Sequence, residues 1–540
     1  MKKSKKNTRD IKGVDVSGTN VSKKTIAPTA ELLDVDAPVK FLPMLNQPES
    51  NVINMGMADF TEDALRRYGS YVVEERAIPD FRDGLKPSHR AVLWSLCGLG
   101  LRPSSSYKKS ARTVGDAIGK YHPHGDAATY GAMVTIANTM PPVVDGQGNW
   151  GTPINMAAAY RYTEAKISKF AHLFMADTKY LEVIPKVPNF SGDDVIPLYM
   201  PALLPYILFI GNVPAPAYGV RAGNPSFSFK SVAKVVIEML KGVEYNHKKL
   251  AKQLKIQHAF GCDDATDDDA FLEMISTGKG NITYMPKADY DFDKRVIRIQ
   301  SFTPGSLSSV KNIDNTLAKI SNIEGVREAY SAQGKKSVGS GPYGALFNIE
   351  LQKSLSDDRF DSICEKVDHI ITSSVNYRLG ITIRKSDETN KFKYVNYLSL
   401  LQAWIKYRIA LEVKMIKHLK MKAERDLHIN EVYLFAIENM DKILKILPKV
   451  LVAKEPDVTL ASALKMPVED ATIILDRKVR QLAKLEAGAI KEKVRALKAE
   501  IMQLSKDLKD PGGRAARDTE ERVATYLKSP DSPQSGLKFE

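Results

Sequence analysis

Cysteine is rare in this chain of 540 residues, which contains only Cys97, Cys262 and Cys364. The three residues are far apart, and none belongs to a Cys-x-x-Cys or Cys/His pattern with the spacing of metal ligands. A disulfide framework and a structural zinc site are therefore excluded, and a reducing compartment is expected.

The chain also lacks a hydrophobic run suited to cross a membrane as a helix. Residues 195–220 carry no charge, but they include five prolines, each of which removes a backbone donor that lipid cannot replace. The basic N-terminus has no apolar segment behind it and does not resemble a secretory signal. We predict that 195–220 forms a buried region rich in turns and that the protein makes no membrane contact.

No nucleotide-binding motif of the GxxxxGK[ST] type occurs. Gly146, Gly148 and Gly151 form a GxGxxG pattern, but no strand signal precedes it and a proline follows, which favours a turn. The acidic runs 267–269 and 289–293 lack the ligand pattern of a calcium loop and are interpreted as solvated turns. The sequence therefore predicts no metal or nucleotide site in this chain.

Positive charge is in excess, since 78 Lys and Arg residues against 64 Asp and Glu residues give a formal net charge of +14. This balance favours a polyanionic partner, with nucleic acid ahead of an anionic membrane; basic residues that only solvate the surface are the alternative. Residues 1–50 are polar, rich in lysine and without sustained periodicity, which predicts a disordered basic N-terminal arm.

Helical signals follow the arm. An amphipathic helix is predicted from Thr61, with that threonine as its cap, and a second helix over 87–99 begins with a proline. Two more helices are predicted over 110–121 and 126–139. A short turn separates these two, which matches a helix-turn-helix in which Asp126 caps the second helix.

The predicted class is α+β with several domains, of which the first covers 51–199. Residues 200–385 mix turns with short β-like runs, VIRIQSF and GALFNIELQ, which predicts an α/β domain. Residues 386–515 are rich in Leu, Ile, Lys and Glu and predict two long helices around a compact insert at about 430–480. This arrangement indicates a long antiparallel coiled coil with a globular tip. A C-terminal tail is predicted over 516–540.

Tyr162 follows Arg161 and a run of three alanines, 157–159. Small residues let the backbone approach a phosphate, and a guanidinium beside it stabilises the charge that develops when a nucleophile attacks. A free phenol has a pKa of about 10 and is mostly protonated at neutral pH, so attack requires a proton acceptor and positive charge. The pair is the candidate nucleophile and its charged neighbour.

His122 and His124 lie in the turn before the helix at Asp126. Two histidines without a third ligand make a poor metal site. They either hold the turn through side-chain hydrogen bonds or contact DNA phosphates, and the basic surroundings favour phosphates. Four basic residues are close in sequence: Lys108, Lys109, Arg112 and Lys120.

Four segments carry a family resemblance. They read EERAIPDFRDGLKPSHRAVLWSL over 74–96, KKSARTVGDAIGKYHPHGDAATY over 108–130, VDGQGNWG over 144–151 and AAAYRYTEAKISK over 157–169. In this order and at this spacing they resemble the breakage-reunion core of gyrase and topoisomerase IV A subunits. A weaker similarity continues to about residue 515.

The resemblance implies that Tyr162 forms a transient 5′-phosphotyrosyl bond with DNA, assisted by Arg161, in a winged-helix domain built on the helix-turn-helix. It implies that 200–385 is a tower domain and that the long helices form a coiled coil with a helical exit-gate tip. It also implies a homodimer, because cutting both strands of double-stranded DNA takes two tyrosines. Six further residues fall on motif positions that contact or polarise DNA: Arg76, Lys86, His89, Arg90, His122 and His124.

Members of this family take Mg²⁺ from a TOPRIM domain and ATP from a GHKL-type domain, and neither is apparent here. The resemblance therefore implies one or two large partner subunits that hold Mg²⁺ and hydrolyse ATP to drive strand passage. The chain alone is expected to be nearly inactive, and the assembly is expected in the bacterial cytoplasm or nucleoid of a host. A non-catalytic winged-helix DNA-binding scaffold is the alternative, against which the Arg161–Tyr162 pair argues.

Three features depart from the family pattern. The chain ends soon after the second long helix, so relaxation and decatenation are expected rather than supercoiling, as in phage enzymes; a cellular topoisomerase IV subunit without its C-terminal domain is the alternative. The loop GNVPAPAYGV offers Ala215 or Pro216 where relatives place an intercalating isoleucine. Ala127 and Gly131 replace the serine and acidic residue of quinolone-sensitive positions, which predicts intrinsic fluoroquinolone resistance.

Overall fold

The computed structural model describes residues 56–211, 215–332, 346–383, 391–476 and 487–530. Its helices are α1 (Met57–Val72), α2 (Pro87–Gly98), α3 (Ser110–Lys120), α4 (Asp126–Ala137), α5 (Lys169–Phe174), α6 (Thr178–Leu181), α7 (Phe229–Leu240), α8 (His247–Gln253), α9 (Asp268–Thr277), α10 (Val310–Ser321), α11 (Asp357–Ile371), α12 (Tyr397–Glu438), α13 (Met440–Val452), α14 (Pro456–Leu464), α15 (Val468–Leu475), α16 (Ala487–Asp507) and α17 (Pro511–Leu527).

The strands are β1 (Lys108–Lys109), β2 (Val144–Gln147), β3 (Glu164–Ile167), β4 (Lys186–Pro188), β5 (Val195–Pro197), β6 (Ala215–Ala217), β7 (Val220–Ala222), β8 (Asp263–Asp264), β9 (Lys279–Met285), β10 (Ala288–Asp291), β11 (Val296–Ile299), β12 (Val326–Ser331), β13 (Phe347–Leu351), β14 (Ser373–Arg378), β15 (Gly380–Ile383) and β16 (Lys391–Tyr394). They form small antiparallel sheets between the helices. The predicted α+β class is confirmed.

The predicted helix-turn-helix region contains α2, α3 and α4 beside a three-stranded antiparallel sheet in the order β1-β3-β2. The helices predicted over 87–99, 110–121 and 126–139 are confirmed. Asp126 is the first residue of α4, whose N-cap is a glycine, so its predicted capping role is wrong. Its carboxylate accepts a hydrogen bond from another part of the chain.

Helix α1 begins at Met57, before the predicted cap. Thr61 lies inside the helix, where its hydroxyl donates to the Met57 carbonyl at 2.7 Å, so the helix is confirmed but the capping role is wrong. At its other end α1 passes into a π-helical turn, Val73–Ala77, which contains Arg76. Such turns are rare and are frequently found at functional sites.

The loop 79–85 connects the helix-turn-helix region to the long helix α12. The carbonyl of Arg82 accepts a hydrogen bond from the indole of Trp404 on α12 at 3.0 Å. Gly84 adopts a φ of +66°, and a Cβ placed on it would lie 2.2 Å from the Ile207 nitrogen. Glycine alone meets both conditions, because it tolerates a left-handed backbone and has no side chain to collide.

The uncharged segment 195–220 contains a buried stretch, 200–210, with a 3-10 turn at Tyr206–Leu208, so the prediction of buried, turn-rich structure is confirmed there. Residues 212–214 lie outside the described residues. The hairpin β6-β7 follows, and its β6 strand contains both positions expected to replace the intercalating isoleucine. In the part of the chain that the structure describes, no helix is long and apolar enough to span a bilayer.

The middle of the chain contains a four-stranded antiparallel sheet in the order β10-β11-β13-β12, packed against α10 and α11. The strands predicted from VIRIQSF and GALFNIELQ are β11 and β13, so both predictions are confirmed. Ile297, Ile299, Phe347 and Ile349 are fully buried and pack with Phe360 in one apolar core. Burial of each such side chain contributes about 1.5–3 kcal/mol, so this unit has a substantial core of its own.

Helix α12 runs for 42 residues, which corresponds to about 63 Å at the rise of an α-helix. Helix α16 lies beside it over an apolar seam. Glu438 pairs with Lys491 at 3.4 Å. Glu431 pairs with Lys498 at 2.8 Å. Residue numbers therefore rise along one helix as they fall along the other, and the two helices are antiparallel.

The insert predicted at about 430–480 contains α13, α14 and α15, which pack with the end of α12 in a separate apolar cluster. The predicted tail over 516–540 is corrected, because residues 516–527 belong to α17. Tyr526 is buried and packs against Phe229 with ring centroids 5.0 Å apart. The folded body therefore extends beyond the predicted boundary.

Candidate active site

Tyr162 and Arg161 lie on an exposed loop between β2 and β3. The Tyr162 residue is 64% exposed, and its amide donates to the Ala159 carbonyl at 2.8 Å, which forms a turn before the phenol. The loop is tied to the start of α3, because the Ser110 amide donates to the Thr163 carbonyl at 3.0 Å. These backbone hydrogen bonds fix the loop and leave the phenol exposed to solvent.

A buried chain of hydroxyl groups anchors the same loop from within. Tyr130 of α4 donates to the Ala158 carbonyl at 2.7 Å, and its oxygen lies 2.9 Å from the Thr163 hydroxyl. The hydroxyls of Thr163 and Ser110 are 2.8 Å apart. The sequence analysis did not identify these residues as part of the site, because their only sequence signal is a position inside the motifs.

Tyr160 and Tyr162 flank Arg161, and their surroundings shift the pKa values of the two phenols in opposite directions. The Arg161 guanidinium carbon lies 4.8 Å from the centroid of the Tyr162 ring, and its hydrogen bond and charge hold the pKa of Tyr162 below its ordinary value. Tyr160 donates to the Asp126 carboxylate at 2.8 Å, and this bond raises the pKa of Tyr160. Tyr162 therefore loses its proton more readily and is the better candidate nucleophile.

His122 and His124 stack with ring centroids 4.1 Å apart in the turn before α4. The turn is closed by the backbone, because the His124 amide donates to the His122 carbonyl at 2.7 Å. Burial lowers the pKa of His122 to about 4, with contributions from His124 and Arg76, so this ring is neutral near pH 7. Nδ1 of His124 is buried and has no hydrogen-bond partner among the described residues. The phosphate contacts predicted for His122 and His124 stay predictions.

Lys86 is the N-cap of α2, and His89 lies in the first turn of this helix. Burial lowers the pKa of Lys86. Burial, together with the charges of Lys86 and Arg90, lowers the pKa of His89 to about 3. A nearby anion would stabilise the charged form of either side chain and so offset the cost of burying its charge. The DNA contacts predicted for Arg76, Lys86 and His89 stay predictions.

Arg90 is placed differently. Its side chain is 1% exposed, its Nε donates to the Asp83 carboxylate at 2.8 Å, and its Nη2 donates to the Leu85 carbonyl at 3.1 Å. The same carboxylate accepts the Met200 amide at 2.8 Å. A guanidinium buried in this way offers no surface to a phosphate. Arg90 fixes the loop 79–85 here, and the prediction that it contacts or polarises DNA stays a prediction.

The donor set around Tyr162 does not fit a magnesium ion. Mg²⁺ prefers oxygen ligands, whereas the side chains predicted to face DNA end in nitrogen. The carboxylates near the loop are engaged, Asp126 by Tyr160 and Glu164 by Lys109 at 2.9 Å. Over the described ranges, no three His, Cys, Asp or Glu side chains lie together as a potential metal site. We therefore derive no step through a metal held by this chain.

The fold and the site define a class: an α+β protein in which a loop anchored on a helix-turn-helix presents an Arg–Tyr pair suited to attack on a phosphodiester. Comparison with known proteins gives the family. The family of DNA gyrase/topoisomerase IV A subunits matches residues 76–515, a range that includes every predicted site residue. The chain belongs to this family.

Individual members show the extent of the similarity. The DNA topoisomerase 4 A subunit of Salmonella typhimurium is 30% identical over 469 residues, which cover 83% of this chain and 58% of the relative. The DNA topoisomerase 4 A subunit of Haemophilus influenzae is 28% identical over 501 residues, 90% of this chain and 62% of the relative. The DNA gyrase A subunit of Clostridium acetobutylicum is 28% identical over 478 residues, 86% of this chain and 55% of the relative. The chain thus spans about three fifths of the length of these relatives.

Proposed function

We propose that this chain is the DNA cleavage and religation subunit of an ATP-dependent type II topoisomerase, in which Tyr162 forms a transient 5′-phosphotyrosyl bond. The observation that carries the proposal is the exposed Tyr162 phenol, whose pKa is lowered by Arg161. A protein that only binds DNA does not require an activated phenol at its surface. The names of the relatives, which are topoisomerase and gyrase subunits, support the same reaction class.

The proposed reaction is a transesterification. The Tyr162 oxygen forms a bond to phosphorus while the bond from phosphorus to the 3′ oxygen breaks; the phenol loses its proton and the 3′ oxygen gains one. Arg161 supplies positive charge where the transition state gains negative charge. Because the phosphotyrosyl ester conserves the free energy of the phosphodiester, attack by the 3′ hydroxyl reseals the strand without ATP.

The proposed DNA surface is a winged-helix domain formed by α3, α4 and the β1-β3-β2 sheet. The second helix of a helix-turn-helix enters the major groove, and here that helix is α4. Arg76, Lys86, His122 and His124 are proposed to contact phosphates, with His89 behind them. Replacement of Arg76 or Lys86 by alanine should weaken binding to all sequences and reduce the slope of affinity against salt by about one.

The remaining units have proposed roles that follow from the family. The four-stranded unit with α10 and α11 is proposed as the tower, and α12 with α16 as the coiled coil. Exposed apolar side chains at the far end of this helix pair support a homodimer, since Leu444, Leu451 and Val452 are 48%, 66% and 86% exposed. A second copy brings the second Tyr162 needed to cut the other strand. We propose that this end is the exit gate.

We also infer partner subunits that hold Mg²⁺ and hydrolyse ATP. The nitrogen-rich surroundings of Tyr162 do not fit Mg²⁺, and neither a TOPRIM nor a GHKL-type domain is apparent in the sequence, so both functions are assigned to one or two further chains of TOPRIM and ATPase type. Double-stranded DNA as the substrate places the proposed activity in the bacterial cytoplasm or nucleoid.

Covalent attachment to DNA tests the proposal. The chain is reconstituted with its partner and Mg²⁺, mixed with end-labelled DNA and quenched with denaturant. We expect the wild type to trap DNA, and Tyr162→Phe to trap none while its affinity for DNA is unchanged. Tyr68→Phe is the matched control, because Tyr68 is also an exposed tyrosine, at 51%, but lies on α1. It should trap DNA as the wild type does.

Two results argue against the proposal in different ways. If Tyr162→Phe still traps DNA, another residue is the nucleophile. If the wild type traps none in a preparation whose partner hydrolyses ATP in response to DNA, the non-catalytic scaffold replaces the proposed function.

A further inference from the structure

Tyr160 and Asp126 form a contact that the reaction described above does not use. The Tyr160 hydroxyl donates to the Asp126 carboxylate at 2.8 Å. Asp126 is the first residue of α4 and lies two residues after His124, whereas Tyr160 lies two residues before Tyr162. One hydrogen bond therefore joins the turn that contains the histidines to the loop that contains the nucleophile.

We propose that Tyr160 and Asp126 are a positioning pair, which fixes the Arg161–Tyr162 loop against the start of α4 and so orients the phenol for attack. This inference rests on the proposed function. Neither side chain needs to touch the reacting atoms, because Tyr160 acts through the short length of backbone that connects it to Tyr162. The pair specifies where the phenol oxygen lies relative to a phosphate bound at the histidine turn.

Asp126 is well suited to hold this bond. It lies in the first turn of a helix of 12 residues, where the helix dipole stabilises negative charge. The Tyr160 hydroxyl, followed by the Ala127 amide, lowers the pKa of Asp126, so the carboxylate is ionised at neutral pH. Hydrogen bonds to an ionised acceptor are about twice as strong as neutral ones. The bond therefore persists under the conditions in which DNA is cleaved.

Two sets of hydrogen bonds, an inner and an outer anchor, hold the loop on either side of Tyr162. On the inner side, the hydroxyls of Tyr130, Thr163 and Ser110 hold the chain just after it. On the outer side, the Tyr160–Asp126 bond holds the chain just before it. The Tyr160 ring also packs edge-on against Tyr130, with centroids 5.8 Å apart, so removal of the hydroxyl leaves the ring in place.

Loss of the Tyr160–Asp126 bond should lower the rate of DNA cleavage more than the affinity for DNA. The histidine turn is closed by its own backbone hydrogen bond from the His124 amide to the His122 carbonyl, so loss of the Tyr160 hydroxyl should leave the affinity for DNA unchanged. Attack on phosphorus does depend on it, because a misplacement of about 1 Å can reduce a rate about a hundredfold. A loop that keeps its inner anchor is expected to move by less than that.

Single-turnover cleavage of end-labelled DNA by the reconstituted holoenzyme tests the pair. We expect Tyr160→Phe to slow cleavage about tenfold with unchanged DNA affinity and melting temperature, and Asp126→Ala to slow cleavage at least as much. Asp126→Asn keeps a neutral acceptor and should slow cleavage less. The double variant Tyr160→Phe with Asp126→Ala should be no slower than the slower single variant, since both remove the same bond.

Tyr107→Phe is the matched control. The Tyr107 hydroxyl bonds to the Asp145 carboxylate at 3.0 Å, which is a tyrosine–aspartate contact of the same kind in the same region, away from the nucleophile loop. This variant should cleave DNA at the wild-type rate. If it is as slow as Tyr160→Phe, or if Tyr160→Phe lowers the melting temperature, the effect is general destabilisation and the positioning role is overturned.

A second substrate separates positioning from proton transfer. DNA with sulfur in place of the bridging 3′ oxygen has a leaving group that does not need a proton. If the pair orients the phenol, the slow cleavage by Tyr160→Phe persists on this substrate; if sulfur restores the wild-type rate, the hydroxyl acts on the leaving oxygen and positioning is overturned. Wild-type rates for Tyr160→Phe on both substrates overturn this inference alone. A wild type that traps no DNA overturns the proposed function and this inference with it.

Discussion

Tyr180 and Glu412, which are 232 residues apart in sequence, are joined by a hydrogen bond of 2.7 Å between the phenol and a fully buried carboxylate. The same carboxylate pairs with Arg408 on α12 and with Arg514 on α17. Burial acts to raise the pKa of Glu412, but Arg408, Tyr180 and Arg514 together outweigh it and hold the pKa below its ordinary value. An ionised carboxylate therefore ties the base of the long helix to α6 and α17.

The first prediction concerns this carboxylate. Glu412→Gln leaves Arg408 and Arg514 without their shared counter-ion, and breaking a buried pair costs about 3–5 kcal/mol, so the melting temperature should fall markedly. Because the folded-state pKa is lowered, the wild type keeps this stabilisation above the ordinary glutamate pKa and loses it as pH falls through the folded pKa. Thermal melts at about pH 7 and about pH 4 should therefore show a smaller difference between variant and wild type at the lower pH.

Glu424→Gln is the control for that experiment. Glu424 lies on the same helix and pairs with Lys420 at 3.7 Å, but its side chain is 53% exposed. An exposed pair of this kind contributes about 0–1 kcal/mol. Equal losses of melting temperature in the two variants would contradict a special role for the buried carboxylate.

The second prediction uses two glycines with the same backbone conformation. Gly84 and Gly100 have φ values of +66° and +67°. A Cβ on Gly84 would lie 2.2 Å from the Ile207 nitrogen, whereas a Cβ on Gly100 meets nothing within 4 Å. Gly100→Ala should therefore cost about 1–2 kcal/mol for the left-handed backbone, and Gly84→Ala more than about 4 kcal/mol because backbone must also move. Melting temperatures compare the two; similar values would show that the loop accommodates a methyl group.

The third prediction concerns acid stability. Burial lowers the pKa of His89 to about 3, well below that of an unfolded histidine, which is about 6.5. Between these values the unfolded chain binds a proton that the folded chain rejects, so His89 reduces stability as pH falls through this window. The melting temperature of His89→Gln should fall less than that of the wild type when the pH is lowered from about 7 to about 5. His369→Gln, at an exposed position on α11, is the control, and a wild-type slope in His89→Gln would refute the argument.

The fourth prediction concerns fluoroquinolones. Ala127 and Gly131 are exposed on α4, and nothing lies within 4 Å of a Cβ built on Gly131, so larger side chains fit there. We expect the reconstituted wild type to resist drug-stabilised cleavage. Ala127→Ser combined with Gly131→Glu should raise sensitivity about tenfold, equivalent to about 1.4 kcal/mol of drug binding. The drug concentration that gives half-maximal trapped cleavage measures this, and trapping of the wild type at low concentration would refute the prediction.

The helices near Tyr162 were predictable because their signals act over a few residues. Proline at the start of α2, apolar spacing in α3 and a capping-type residue at the start of α4 placed these helices close to their observed positions. The caps were less predictable. Asp126 is a good capping residue by type, but its carboxylate accepts a hydrogen bond from Tyr160, and Gly125 occupies the cap position instead. The role of Asp126 therefore depends on Tyr160, a residue far from it in sequence.

In the candidate site, too, residues marked by a local motif were predictable, whereas roles that depend on distant contacts were not. Arg161 and Tyr162 stand out because they are adjacent in a recognisable motif. Arg90 belongs to a motif as well, but sequence does not distinguish an arginine that faces DNA from one buried against Asp83. The hydroxyl of Tyr130 has no motif signal of its own, since its role depends on a contact with a loop that the chain reaches only after β2.

The continuous α12 helix, braced by antiparallel α16, has a mechanical consequence. From the buried Glu412, which is held by Arg408, to its end at Glu438 the helix is about 40 Å long, so a tilt of about 5° around Glu412 moves that end by about 3 Å. The moving end leads into α13, which holds the exposed Leu451 and Val452. A rotation around Glu412 no larger than a side-chain rearrangement would thereby become a displacement of several ångströms where the helix meets α13.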